Sequence, residues 1–163
     1  MIYNYNEINV LPNSLVILDI DETIFSFSPL TPTWWDDMKK THGDAYAYLE
    51  WVKIISFNLP QMLNSFDFFI LMNEIKYTNS KLVLLTARNV KLCEITCQQL
   101  IYCKIPIDPK DIWFSDKKGL TSHKMIRQYK MNHTIFVDDK LKNVDDVKKW
   151  NPKVDCYHFQ NKE

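Results

Sequence analysis

Leu15-Val16-Ile17-Leu18-Asp19-Ile20-Asp21-Glu22-Thr23 is an apolar run of strand length that ends in two carboxylates two residues apart. Side chains on a strand alternate faces, so residues i and i+2 point the same way. Asp19 and Asp21 therefore start out aimed at one spot beyond the carboxyl end of a buried strand. That is where open parallel α/β sheets place their ligands. Two carboxylates brought close repel each other unless a cation or a shared proton lies between them. Alone, the pair reads equally well as a solvated acidic turn, so the decision rests on the rest of the chain.

Working outward, Lys81–Thr86 reads as a second buried strand and Asp111–Phe114 as a short third. Thr134–Val137 followed by Asp138-Asp139 repeats the first design, an apolar strand ending in paired acids. Val154–Phe159 alternates as an edge strand would. Helices are expected from Ser65 or Asp67 to Tyr77, over Val90–Tyr102 behind an Asn89 N-cap, over Ser122–Lys130, and over Leu141–Trp150. Asn151-Pro152 stops the last of these. Strand–helix alternation with crossover-length connections predicts an α/β fold, a parallel sheet with helices on both faces. At 163 residues the chain is expected to form one domain over 1–163, large enough to bury a core without staples. One region, 26–63, breaks the rhythm. It carries Pro29, Pro32, Trp34, Trp35, a polar segment Asp36–Asp44, a helical stretch Ala45–Ile55 and Pro60. It follows the first acidic strand end directly, as a small cap or lid would. Trp34 and Trp35 either pack inside this insert or line a substrate site.

The 20 basic and 20 acidic residues cancel, so charge does not favour nucleic acid or an anionic membrane, although a polynucleotide is not excluded. No apolar run approaches the roughly 18 residues of a membrane span. The first residues, Met1–Glu7, lack the basic start and apolar centre of a signal peptide, which makes a cytoplasmic location the expectation. The four cysteines suit that location as core thiols: Cys93 and Cys97 share a helical face but have no second ligand pair. With only two glycines, Gly43 and Gly119, no glycine-rich phosphate loop is available. Oligomeric state is not legible.

In a parallel sheet three strand ends converge. They bring together Asp19 and Asp21, then Thr86 with Arg88 close behind, then Asp138 and Asp139. Four carboxylates around one hydroxyl call for a divalent cation, and all-oxygen ligands favour Mg²⁺ over zinc. Mg²⁺ in turn takes up phosphate oxygens, so the expected partner is a small phosphorylated substrate, a phosphate ester. A lysine beside the acids would neutralise the phosphate, and Lys124 is placed for it in the first turn of the helix before the fourth strand.

The ordered set Asp19-x-Asp21-x-Thr23, Thr86, Lys124, Asp138-Asp139 resembles the four motifs of the haloacid dehalogenase (HAD) superfamily of aspartate-nucleophile phosphatases, small-cap type. The resemblance covers about residues 14–159 and leaves the insert unmatched. It implies a Rossmann-like three-layer α/β/α fold with sheet order 3-2-1-4-5. By the same resemblance Asp19 attacks phosphorus and forms an aspartyl-phosphate, and Asp21 is the proton donor and then acceptor. Thr86 holds a phosphoryl oxygen. Mg²⁺ sits among Asp19, a main-chain oxygen at Asp21, and Asp138, with Asp139 completing its water shell or pairing with the lysine. Thr23 braces Asp21 or the turn at the substrate, Arg88 grips a second substrate anion or lies on the surface, and Asn143 either orients the acids or caps its helix. Lys118-Gly119 resembles a pair found before this helix in some relatives. Lys118 therefore competes with Lys124, which is favoured because Thr121 or Ser122 can cap a helix that puts it in the first turn. Members that cleave carbon–halogen bonds or drive cation pumps generally lack an acid at the position of Asp21.

The expected function is a Mg²⁺-dependent phosphatase acting on a phosphate monoester. A catalytically silent binding or regulatory protein on the same fold is the alternative from another class. Phosphotransfer to an alcohol, or action on a polynucleotide 3′-phosphate, would use the same residues.

Overall fold

The computed structural model describes residues 1–31 and 33–161. Pro32, inside the expected insert, and Lys162 and Glu163, at the end of the expected domain, lie outside the described residues. The apolar run before Asp19 forms β1 (Ser14–Leu18), every residue of which is buried. It lies in the middle of a five-stranded sheet, between β4 (Lys81–Thr86) and β6 (His133–Asp138), parallel to both. β5 (Ile112–Phe114) flanks β4 and β7 (Asp155–His158) flanks β6, again in parallel. The spatial order β5-β4-β1-β6-β7 puts these five strands in the order 3-2-1-4-5, as the resemblance implied.

Alternation along β1 sorts its side chains into two cores. Val16 and Leu18 join Leu84 and Val137 under α3 (Ser65–Tyr77) and α4 (Cys93–Tyr102), through Phe68, Leu71, Ile75 and Leu100. Leu15 and Ile17 join Val83, Leu85 and Phe136 under α5 (Lys118–Tyr129) and α6 (Leu141–Trp150), through Met125, Val144 and Val147. A strand buried at every position has to be covered on both faces, and these helices cover it.

Besides a 3-10 turn at Val90–Leu92, which Asn89 caps and which delays the expected start of α4 to Cys93, two regions differ from the sequence reading. The polar segment Asp36–Asp44 is largely helical: α1 (Trp34–His42) buries none of its residues, so no apolar stripe announced it. Gly43 follows at φ +85°, and α2 (Asp44–Phe57) runs on from it. The short antiparallel pair β2 (Phe25–Ser26) and β3 (Gln61–Met62) closes the base of the insert. The second difference is α5, which begins at Lys118 rather than at Ser122. Gly119 permits this early start. The Asp146 carboxylate of α6 accepts the Gly119 N–H at 2.7 Å, and a Cβ there would lie within 2.7 Å of both that carboxylate and the Asp146 carbonyl, and against Trp150. Any side chain at position 119 would push α5 off α6. Among the described residues no helix is long and apolar enough to cross a membrane.

Gly119→Ala is expected to destabilise the protein by roughly 1–3 kcal/mol through this overpacking, measured as the shift in urea midpoint. An unchanged midpoint would contradict the packing described.

Candidate active site

β1 delivers Asp19 one residue past its end, where the Asp19 N–H still donates to the Val137 carbonyl at 2.9 Å and continues the parallel ladder. β6 delivers Asp138 in its last position and Asp139 just beyond it. One carboxylate oxygen from each of Asp19, Asp138 and Asp139 falls in a group no wider than 4.8 Å. Asp138 is fully buried and Asp19 is 7% exposed. At an effective dielectric of about 20, each pair of charges this close repels by roughly 3.5 kcal/mol or more. Something positive has to sit among them.

One such group is in place. The Lys118 ammonium, 1% exposed, lies 2.6 Å from Asp19 Oδ1 and 3.4 Å from Asp138 Oδ2, and also donates to the Leu85 carbonyl. Burial works against its charge, but Asp19 and Asp138 outweigh burial and hold it above the ordinary lysine value. Lys124, expected in this role, is exposed in the second turn of α5. The reason is the helix start: Thr121 and Ser122 are both buried inside α5 rather than capping it. The Ser122 hydroxyl is spent on the Gly119 carbonyl, and the Thr121 hydroxyl donates to Ser115.

One lysine does not balance three carboxylates. Burial, opposed by Lys118 and reinforced by Asp138 and Asp21, pushes Asp19 up to about 7. Burial, then the charges of Asp19 and Asp138, push Asp139 up to about 8. Asp139 Oδ1 is buried without a hydrogen-bond partner. Such a set of oxygens, short of positive charge and with one orphaned acceptor, fits a hard divalent cation held by Asp19, Asp138 and Asp139.

The surroundings fix these three in position. Asn143 Nδ2 donates to both oxygens of Asp138, at 2.9 and 3.0 Å, so Asn143 does orient the acids. Thr23 is wholly buried, and its hydroxyl accepts the Asp139 N–H at 3.1 Å. It ties the first acidic loop to the second and so braces the turn that carries Asp21. Tyr5, which the sequence reading passed over, donates to the Thr23 carbonyl from within the core. His158 Nε2 lies 2.8 Å from the Asp139 carbonyl and so carries its proton on that nitrogen. Thr86 is buried at the end of β4, where its hydroxyl accepts the Arg88 N–H at 3.2 Å and its carbonyl accepts the Ser115 N–H, steering the chain toward Lys118.

Asp21 departs from the expected four-carboxylate cluster. Its two oxygens accept from Arg88 Nη2 at 2.7 Å and Nε at 2.9 Å. Arg88, expected at a second substrate anion or at the surface, is buried with its side chain 0% exposed, and Thr96 and Gln99 take Nη1. It has no free face for a substrate anion. Trp34 and Trp35 stand in the first turn of α1, both half-buried. Their rings run in a row, Trp34 to Trp35 and Trp35 to Trp51 at 6.3 Å each, and Trp51 lies over the Arg88 guanidinium. Both tryptophans pack within the insert. Trp51, Thr96 and Gln99 carried no sequence signal, being ordinary helical residues until the fold brings them to Arg88.

No family model and no curated protein matches this chain. Solved structures do. A class C acid phosphatase from Bacillus anthracis superposes with a TM-score of 0.57 at 19% identity, over 85% of this chain and 59% of its own. A haloacid dehalogenase-like hydrolase from Burkholderia xenovorans gives 0.51 at 13% identity, over 89% and 81%. A chain of the Pnkp1/Rnl/Hen1 complex gives 0.55 at 16% identity, over 95% and 49%. The chain thus spans about three fifths of the acid phosphatase and half of the chain from the complex. These likenesses establish a shared fold, that of the HAD-like hydrolases.

A cation entering the cluster displaces the protons held on Asp19 and Asp139, so its affinity rises with pH through the two raised values. Without metal the sign is reversed. A carboxyl whose value is raised on folding gives stability present below its unfolded value, 3.8, and lost as pH climbs through 7 and 8. The rise in Tm on adding Mg²⁺ is therefore expected to grow between about pH 6 and about pH 9. A Mg²⁺ effect that is absent, or constant over that range, would contradict the cluster as a cation site.

Proposed function

We propose that this chain, built on the HAD-like hydrolase fold, is a Mg²⁺-dependent phosphatase that hydrolyses a phosphate monoester through an aspartyl-phosphate on Asp19. The observation that carries the reading is the buried Lys118 between Asp19 and Asp138, beside an orphaned Asp139 oxygen, at the carboxyl end of the central strand.

Lys118 fixes one oxygen of Asp19 and thereby the direction of the other, which attacks phosphorus. The bond from phosphorus to the leaving oxygen breaks as Asp21 gives that oxygen its proton. In the second half, water attacks the phosphorus of the aspartyl-phosphate, Asp21 takes the proton of that water, and Asp19 leaves as a carboxylate with inorganic phosphate released. Mg²⁺ held by Asp19, Asp138 and Asp139 supplies charge to screen the meeting of two anions and to stabilise the transferring group. Lys118 adds a fixed positive charge that needs no reorganisation during reaction. Four unpaired thiols suit a reducing compartment.

Phosphate release from p-nitrophenyl phosphate and from a panel of nucleotides and sugar phosphates, with Mg²⁺ present, tests the reading. Release is expected to require the metal and to vanish in Asp19→Asn. Lys118→Met is expected to lose about 10²–10³-fold, while Lys124→Ala stays within about twofold of the parent, as a surface substitution should. No metal-dependent release from any ester, or equal release by Asp19→Asn, would overturn the proposal.

A further inference from the structure

Arg88 is buried and hydrogen-bonded through all three of its side-chain nitrogens, and the chemistry above leaves it without a task. Its fork grips both oxygens of Asp21, which lies 67 residues away in the chain. Its Nη1 donates to Thr96 Oγ1 at 3.0 Å and to Gln99 Oε1 at 2.6 Å, both on α4. Neither partner is itself loose. The Thr96 hydroxyl donates to the Leu92 carbonyl at 2.7 Å, and the Gln99 amide donates to the Ile55 carbonyl at 2.6 Å. Ile55 belongs to α2 of the insert. A continuous buried chain therefore runs from the insert helix through Gln99 and Arg88 to the carboxylate of Asp21. The rings of Phe25, Phe27 and Trp51 enclose the guanidinium, with centroids 5.6–5.8 Å from Cζ.

A buried ion pair is a poor device for stability, since well-packed apolar groups of the same volume do as well or better. A planar fork on a carboxylate does give a defined orientation, which a lysine does not. Asp21 also has an open side. Its side chain is 25% exposed, and each oxygen keeps a second lone pair beyond the one that Arg88 uses. That side faces outward while Arg88 holds the other.

We propose that Arg88 and Gln99 are positioning residues that fix the carboxylate of Asp21 relative to insert helix α2, so that the placement of the insert sets the aim of the proton donor. This rests on the phosphatase reading, in which Asp21 protonates the leaving oxygen. Thr96 supports the same arginine from the α4 side. The insert then acts on the chemistry through this chain of hydrogen bonds without touching phosphorus.

The test uses dependence on the leaving group, which a merely structural role would not move. p-Nitrophenolate departs with little need of a proton, whereas the alkoxide of glycerol 2-phosphate needs one. With the full chain and Mg²⁺, kcat/KM of Gln99→Leu is expected to fall roughly tenfold or more further on the glycerol ester than on the nitrophenyl ester. Arg88→Lys, which keeps the charge and loses the fork, is expected to show the same bias more strongly. In an Asp21→Asn background, Gln99→Leu is expected to cost nothing further on either ester. Tm measurements identify any variant that fails to fold, and Gln99→Glu serves as the second variant. It keeps an acceptor for Arg88 but loses the donor to Ile55, and it is expected to show a weaker bias in the same direction. Equal losses on both esters, or additive losses in the Asp21→Asn background, would overturn the relay while leaving the phosphatase reading intact. A parent protein that releases phosphate from neither ester, nor from any of the nucleotides and sugar phosphates above, would overturn both.

Discussion

The ammonium of Lys118, buried between Asp19 and Asp138, is the contact on which the site depends, because it ties together the charged groups of three elements that otherwise meet through apolar side chains. β1 supplies the first acid, β6 the second, and the first residue of α5 the cation. The lysine reaches that position only because α5 starts early, and α5 starts early only because Gly119 lets it lie against Asp146 and Trp150 of α6. A packing constraint on the far side of a helix is thereby converted into the charge balance of a site. One lysine still leaves the cluster short of positive charge. The raised carboxyls of Asp19 and Asp139 and the orphaned Asp139 oxygen are the form that shortage takes.

The second organising contact is the Arg88–Asp21 fork, and it separates the surroundings of the two acids that open the sequence. Although they are two residues apart, the carboxylates of Asp19 and Asp21 have different neighbours: Asp19 shares a lysine with the second acidic pair, and Asp21 an arginine with the insert. Two carboxyl groups held in different surroundings are what acid–base chemistry alongside nucleophilic attack requires. The insert is thus built into the site through Ile55 and Trp51 rather than merely hung above it.

Much of this was legible in the chain. The apolar runs ending in Asp19-x-Asp21 and Asp138-Asp139 have the period and length of buried parallel strands, and the parallel sheet brings their ends together whatever the loops do. The order of the strands followed from the resemblance of the motifs, and Leu141–Trp150 from its amphipathic stripe and its Asn-Pro stop. The errors share a physical origin. The start of α5 is decided by contact with α6, and a capping rule applied to Thr121 and Ser122 has no access to that contact. Helix α1 buries nothing, so it leaves no hydrophobic signature. Arg88 looked free because its partners Asp21, Thr96 and Gln99 come from separate stretches, and a buried arginine cannot be told from an exposed one by its neighbours in sequence.

The most direct measurement of the central claim is to stop turnover with acid in the presence of Mg²⁺ and a reactive ester, reduce any acyl-phosphate with borohydride, and map the modified peptide by mass spectrometry. The account predicts reduction at Asp19 alone, dependent on both metal and substrate. Rapid turnover with no modified peptide, or modification at Asp21, Asp138 or Asp139 instead, would contradict it.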